Sequence, residues 1–207
     1  MSARQIPFSI LLSRSPPPSL NPLLDHLSPQ NSSLISRSQA MSQRSRGFPG
    51  MIGSIDCMHW RWENCPTAWK GQYNNGRYGF PTVILEAVAS HDLHIWHAFF
   101  GVAGSNNDIN VLNQSPLFIE TIKGEAPRVQ FSVNGRQYNT GYYLVDGIYP
   151  EWAAFVKSIN SPQLEKHKVY ARLQEARRKD VERAFGVLQS RFNIVWRPAR
   201  SWSMKIL

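Results

Sequence analysis

Two apolar segments of this chain each run directly into a single acidic residue. MIGSID places Asp56 after the first run, and GYYLVD places Asp146 after the second. Apolar runs without strict alternation are typical of central strands that are covered on both faces. A charge at the tip of such a strand is costly unless something binds it. The two runs therefore predict buried strands that each end in, and deliver, one carboxylate.

Length and charge set limits on the partners of the chain. The 207 residues are 42% hydrophobic, which is enough for one domain with a core, and no stretch approaches the roughly 20 apolar residues of a membrane span. We therefore expect no membrane partner. The net charge of +9 divides into +4 over residues 1–46, −2 over 47–162 and +7 over 163–207. A basic C-terminal third beside an acidic middle suits a protein that handles a polyanion through metal ions, although solvated helix surfaces would give the same balance.

The N-terminal segment has the composition of a disordered chain. Residues 1–46 contain 12 Ser and 6 Pro with little apolar periodicity, so they cannot bury enough surface to offset their ordering entropy. A Ser-rich, acid-poor start is also shared by organelle transit peptides, which keeps an organellar location as an alternative. We expect one ordered domain over residues 47–200 and a tail over 201–207.

Local patterns predict the elements of this domain. CPTAWKGQYNNGRYGFP has the composition of a loop, in which Lys70 and Arg77 alternate with aromatic rings. TVILEAVASHDLHIWHAFFGVAG predicts a β-hairpin. GSNNDINVLNQSPLFIETI predicts a helix with Asp108 in its first turn, where the helix dipole stabilises a carboxylate. Residues 123–139 are polar and turn-rich.

Two further helices are expected towards the C-terminus. Pro150 predicts the start of a short helix that runs through Val156. A long basic helix is expected from about Lys168 to Phe192, and Glu182 lies at the edge of its apolar stripe. An i, i+4 salt bridge from Arg178 to Glu182 is the alternative to an inward-facing role for that acid. The stripe consists of Val181, Ala184, Phe185, Leu188 and Phe192.

Cysteines and histidines offer two weaker alternatives for a metal. Cys57, His59 and Cys65 lie close together, but a structural zinc site needs four ligands, so reduced structural thiols are the better interpretation. The histidines at positions 91, 94 and 97 recur every three residues. In a strand this spacing points them to different sides, so we expect each to be satisfied locally or to face solvent.

Four acids are predicted to converge on one point. They are carried by two strands and by two helices, and clustered carboxylates repel one another unless hard cations such as Mg²⁺ or Mn²⁺ hold them. A pair of such ions can activate a water or a hydroxyl for attack on a phosphodiester. The four acids are Asp56, Asp108, Asp146 and Glu182.

Five segments together resemble a known family. GMIGSIDCMHW, WKGQYNNGRYGFPTVILEAVAS, GSNNDINVL, GYYLVDGIYP and RRKDVERAFGVLQSRF are similar, in this order, to the blocks of the nuclease domain of PIF/Harbinger transposases and their domesticated plant relatives. That family consists of DDE-type endonucleases with an RNase H-like fold. The resemblance runs from about residue 47 to 192 and implies an α/β domain with a mixed sheet flanked by helices.

The resemblance also implies a site and a function. By motif, Asp56, Asp146 and Glu182 match the catalytic acids, and Asp108 matches a further acid that contacts metal. The implied activity is cleavage of DNA with Mg²⁺ or Mn²⁺ in the nucleus, with a Myb-like DNA-binding protein as partner. The alternative is a catalytically inactive domesticated transposase that acts as a DNA- or chromatin-associated interaction protein. Candidate phosphate-binding residues are Lys70, Arg77, Arg177, Arg178, Lys179 and Arg183.

The ends of the chain depart from the family pattern. A Ser/Pro-rich segment stands where the family has a helical, helix-turn-helix-like region, and the chain stops at Leu207, where the family continues with at least one more helix. We therefore expect a domain that is truncated at its C-terminal end.

Overall fold

A mixed five-stranded sheet forms the centre of the molecule. The computed structural model describes residues 47–118 and 128–200. The strands lie in the order β3-β2-β1-β6-β7, and a separate two-stranded sheet pairs β4 with β5. The strand bounds are β1 Met51–Arg61, β2 Thr82–Ala89, β3 Ile95–Ala103, β4 Arg128–Val133, β5 Arg136–Thr140, β6 Tyr142–Leu144 and β7 Phe155–Val156.

The predicted hairpin is confirmed as β2 and β3. β2 lies between β1 and β3 and is antiparallel to both. Every residue of β2 is buried, because helices and loops cover both faces of the sheet at this strand. β6 lies on the other side of β1 and is parallel to it.

β1 does not end at Asp56, as the sequence pattern predicted, but continues to Arg61. β6 pairs with β1 only as far as the Ser54 and Leu144 register, whereas β2 continues to pair with β1 up to Arg61. Asp56 therefore lies inside β1, just past the point where its parallel neighbour has ended. The sequence pattern placed the end of the strand too early because the charge of Asp56 interrupts the apolar run, although the half-buried residues from Cys57 to Trp60 continue the strand.

Two predictions for the connecting segments are wrong, the loop after β1 and the helix from Pro150. Part of the expected loop after β1 is a helix, α1 Thr67–Tyr73. The turn-rich segment contains the hairpin of β4 and β5, where Asn134 and Gly135 both have positive φ, the geometry that an Asn-Gly turn supplies. The helix expected from Pro150 is replaced by β7, because the exposed edge of β6 pairs with Phe155 and Val156.

The expected helix with Asp108 in its first turn is confirmed as α2 Asp108–Leu112, and the side chain of Asn107 caps it by accepting from the Asn110 N–H. A single 3-10 turn, Pro116–Phe118, follows. The helix therefore ends earlier than the pattern, which ran to Ile122, predicted, and residues 119–122 of that pattern lie outside the described residues. The predictions of a disordered segment over residues 1–46, of a tail over 201–207 and of truncation at the C-terminal end also concern residues outside the described ranges.

The long basic helix is two helices, α3 Glu165–Arg178 and α4 Asp180–Arg191, followed by a short α5 Asn193–Trp196. Lys179 separates α3 from α4 with ψ near −1°. The break precedes the fully buried Asp180, and the next residue, Val181, donates its N–H to Oγ of Ser54 in β1. The apolar stripe is confirmed, since Val181, Ala184, Phe185 and Leu188 are buried and Phe192 packs partly against them.

The core lies on both faces of the sheet. On one face, the stripe of α4 packs against Trp62, Val83 and Leu85. On the other face, residues of α2 and of the segment after β6 pack against Ile55 and Val88. This α/β arrangement confirms the fold class and is compatible with the RNase H-like fold that the resemblance implies. Within the described ranges, no helix is long and apolar enough to span a bilayer.

Candidate active site

The four predicted acids lie around the point where β6 separates from β1. Asp56 is in β1, Asp146 follows β6, Asp108 begins α2 and Glu182 is in the first turn of α4. Parallel strands present their C-terminal ends at the same edge, and the gap between diverging strands is a common ligand site in α/β folds. The fold therefore brings acids that are 126 positions apart in sequence into one electrostatic neighbourhood.

Asp56 is the most strongly perturbed of these acids. Burial, with a contribution from the negative charges of Asp108 and Glu182, raises its pKa from 3.8 to about 6. A hydrogen bond from the Cys57 N–H to Oδ1 (2.8 Å) and the positive charge of Arg178 oppose the rise in pKa. Burial and the neighbouring acids outweigh these two contacts, so this carboxylate is incompletely compensated.

Asp108 approaches the neighbouring residue of β1. Burial raises the pKa of Asp108, with Asp146 and Glu86 adding to the rise, while a hydrogen bond with the Cys57 side chain opposes it. Successive side chains of a strand point to opposite faces, so Asp56 and Cys57 face different sides of the sheet. Asp108 thus reaches the site from the face opposite to α4.

Asp146 and Glu182 are the exposed members of the set. Oδ1 of Asp146 accepts a hydrogen bond from the Gly147 N–H at 2.6 Å, which turns the carboxylate back on its own loop. Glu182 is 44% exposed and pairs with Arg178, whose Nη1 lies 3.2 Å from Glu182 Oε1. The salt bridge that the sequence offered as the alternative for Glu182 is therefore present.

The structure does not bring all four carboxylates to one point. Over residues 47–118 and 128–200, no three His, Cys, Asp or Glu side chains are grouped so that they could hold one ion. The acids are instead coupled one to the next around the site: Asp56 feels the charges of Asp108 and Glu182, and Asp108 feels the charge of Asp146. The side chains of Asp56 and Cys57 point to opposite faces of β1, so Arg178 meets Asp56 on one face and Asp108 meets Cys57 on the other. Cys57 and Cys65 are free thiols, and among the described residues neither belongs to a group of three side chains that could hold a metal.

Some of the predicted phosphate-binding residues are exposed, and others are half-buried or paired with acidic side chains. Lys70, Arg77 and Lys179 are exposed, and the guanidinium of Arg77 lies 5.9 Å from the centre of the Tyr78 ring. Arg183 is exposed but pairs with Asp180 and donates to the Ala176 carbonyl. Arg177 and Arg178 are half-buried.

Two residues near the site were not identified from the sequence. Glu86 is fully buried in β2, and its Oε2 lies 3.5 Å from Nε2 of His97, which also hydrogen-bonds with Ser115. The local role expected for His97 is thereby confirmed. The sequence signal for Glu86 was a single acidic residue inside the apolar segment VILEAVA. Ser54 was the second omission: its Oγ accepts a hydrogen bond from the Val181 N–H at 3.1 Å.

Comparison with known proteins adds one independent finding. A family model described as plant transposon protein matches residues 26–207, which is most of the chain. Comparisons with curated proteins and with solved structures gave no match. The chain therefore belongs to the plant transposon protein family and is transposon-derived.

Proposed function

We propose that this chain is a divalent-metal-dependent DNA endonuclease of the PIF/Harbinger DDE type with an RNase H-like fold. The observation that carries the proposal is Asp56, a buried carboxylate whose pKa is raised because burial and neighbouring acids outweigh its positive partner. Such a group is stabilised by a cation, and the transposon family makes DNA the substrate of choice.

The chemistry of the donors suits a hard cation. Carboxylate oxygens are the ligands that Mg²⁺ and Mn²⁺ prefer, and Asp56, Asp108, Asp146 and Glu182 would hold these ions once their side chains move closer together than in the described structure. When bound, the ions would supply Lewis-acid activation of a phosphodiester and of the attacking water. Asp56 and Asp146 each accept a backbone N–H of the next residue through Oδ1, so these contacts orient both carboxylates before an ion arrives.

The exposed cations would position the nucleic acid. Arg77 and Tyr78 offer a charge beside an exposed ring, the combination that contacts a phosphate and a stacked base. Lys70 on α1 and Lys179 between α3 and α4 add further positive charge at the surface. These residues would bind the backbone without reading sequence.

Nicking of supercoiled plasmid tests the proposal. The purified full chain is expected to relax plasmid DNA with Mn²⁺ or Mg²⁺ but not with EDTA, and Asp146→Asn should reduce the rate by about a hundredfold or more. Glu151→Gln is the matched control, since it removes a nearby exposed acid from the same loop. Equal rates for the two variants, or no nicking by the wild type, would reject the endonuclease.

A second candidate function is favoured by the position of Arg178. A domesticated transposase without catalysis would act as a DNA- or chromatin-associated protein. It would tolerate the Arg178 guanidinium between Asp56 and Glu182 and would need no metal ion. It predicts DNA binding without nicking. For either function we propose that the chain acts in the nucleus with a Myb-like DNA-binding partner. An organelle is the alternative location, and fluorescence of a tagged full chain distinguishes the two.

A further inference from the structure

The guanidinium of Arg178 lies between two of the proposed metal-binding carboxylates. Its Nη1 is 3.6 Å from Oδ2 of Asp56 and 3.2 Å from Oε1 of Glu182. The side chains of Arg178 and Asp56 are only 17% and 19% exposed. Water and salt screen such a pair less than a surface pair, so this contact differs from the ordinary i, i+4 salt bridge that the sequence predicts.

The packing of α3 and α4 brings this guanidinium close to β1. Arg178 is the last residue of α3, and the helix break at Lys179 turns the chain into α4, so that Arg178 and Glu182 both face Asp56. A cation at the C-terminal end of a helix is also favoured by the helix dipole. The position is therefore stabilised by two carboxylates and by the end of α3.

We propose that Arg178 is a built-in counter-ion that holds Asp56 and Glu182 together in the metal-free protein and competes with a divalent cation for them. This inference rests on the proposed function, since it concerns the same carboxylates. One nitrogen of Arg178 serves both acids, so an ion bound between them would meet a like charge within a few ångströms. Ion binding therefore requires the arginine to leave.

Departure of the arginine has a consequence for the surface. The side chain is long and its neighbour Lys179 is exposed, so a displaced guanidinium would stand beside an existing positive charge. The same movement would empty the site for an ion and add a cation to the surface that faces a polyanion. Ion loading and phosphate binding would then favour each other.

The affinity for Mn²⁺ of the metal-free full chain tests this inference without any activity measurement. Isothermal titration calorimetry should show about three- to tenfold tighter Mn²⁺ binding by Arg178→Gln than by wild type, because a like charge is removed near the ion. Arg172→Gln is the matched control: it removes the same charge from an exposed position of α3 and should stay within about twofold of wild type.

Thermal unfolding supplies the second readout. In EDTA, Arg178→Gln should melt below wild type and below Arg172→Gln, because Asp56 and Glu182 lose their counter-ion. Saturating Mn²⁺ should then raise the melting temperature of Arg178→Gln more than that of wild type. If Arg178→Gln does not fold, Arg178→Lys carries the test. The lysine side chain is shorter and cannot place its nitrogen where Nη1 of Arg178 lies, so this variant should also bind Mn²⁺ more tightly than wild type.

Mn²⁺ affinity of the variant that equals or falls below that of wild type overturns the inference. The outcome is separate from the proposed function: tighter binding without nicking rejects the endonuclease and keeps the counter-ion. Nicking by the wild type, together with an Mn²⁺ affinity that Arg178→Gln leaves unchanged, supports the endonuclease and rejects the counter-ion.

Discussion

The backbone N–H of Val181 donates a 3.1 Å hydrogen bond to Oγ of Ser54, a residue 127 positions earlier in the chain. Ser54 is fully buried in β1, two residues before Asp56, and Val181 precedes Glu182 in the first turn of α4. The Ser54 hydroxyl therefore caps the N-terminal end of α4, where the N-cap residue Lys179 makes no side-chain cap hydrogen bond. It fixes the distance between the two elements that carry Asp56 and Glu182.

Ser54→Ala should therefore loosen the site as well as the fold. We expect a loss of about 1–2 kcal/mol in the free energy of unfolding, since a buried N–H loses its acceptor. Urea denaturation measures the loss, and Ser190→Ala on the exposed side of α4 is the control. Equal stability of the two variants would show that the cap is unimportant.

Asp56→Asn is expected to stabilise the metal-free protein at neutral and alkaline pH. The pKa of Asp56 is about 6 in the folded chain against 3.8 when unfolded, so the folded state binds the proton more tightly. The stabilising contribution is complete below pH 3.8 and is lost as pH rises through 6. The neutral amide should gain up to about 2 kcal/mol at pH 8 and nothing near pH 4.

Urea denaturation in EDTA at both pH values measures this gain. A variant that is destabilised equally at pH 8 and pH 4 would show that Asp56 is well compensated without an ion. Glu151→Gln, at an exposed position, should change stability little at either pH.

Removal of His97 should expose the cost of the buried Glu86 carboxylate. His97→Leu leaves the fully buried Glu86 without the imidazole whose Nε2 lies 3.5 Å from its Oε2, and we expect a loss of about 1–3 kcal/mol. Adding Glu86→Gln to the same chain should recover part of the loss, because an amide costs less to bury without a partner than a carboxyl group that can ionise. A double-mutant cycle by chemical denaturation checks this, and strictly additive effects would rule out the coupling.

Gly104 and Gly186 should respond to alanine in opposite directions. A Cβ on Gly104 would collide with Thr82 Oγ1 and lie 2.7 Å from the Tyr73 carbonyl oxygen, so Gly104→Ala should cost about 2 kcal/mol or more. A Cβ on Gly186, inside α4, would meet open space, so Gly186→Ala should gain about 0.5–1 kcal/mol. Thermal unfolding of both variants measures the difference, and a shift of the same sign in both would contradict the packing at β2.

Arg77→Gln should weaken DNA binding uniformly across sequences. The residue is exposed beside Tyr78, and loss of one phosphate contact should lower the slope of log affinity against log salt by about 1. Fluorescence anisotropy at several salt concentrations gives this slope. Arg136→Gln, exposed on β5 in the separate two-stranded sheet, is the control, and an equal change in both slopes would assign the effect to net charge.

Several features followed from local sequence alone. The apolar run of β2, the cap and first turn of α2, and the stripe of α4 each express a preference that a few neighbouring residues determine. The position of Asp146 just beyond a short buried strand belongs to the same group. These patterns were sufficient for the α/β class and for the candidate acids.

Other features depended on contacts between distant segments. β1 continues past Asp56 because β2 pairs with it after β6 has left, and β7 forms because β6 needs a partner. The break at Lys179 coincides with the buried Asp180 and the cap from Ser54. No local pattern carries such information, because the hydrogen-bond partners lie many residues away.

The identity of the acids was therefore a property of the sequence, and their arrangement was a property of the tertiary structure. Asp56 and Cys57 point to opposite faces of β1, so Asp56 meets Arg178 on one face and Cys57 meets Asp108 on the other, which a list of positions cannot reveal. Arg178 illustrates the same division. Its spacing from Glu182 predicted a surface salt bridge, but only the packing of α3 and α4 on β1 brought its guanidinium against Asp56.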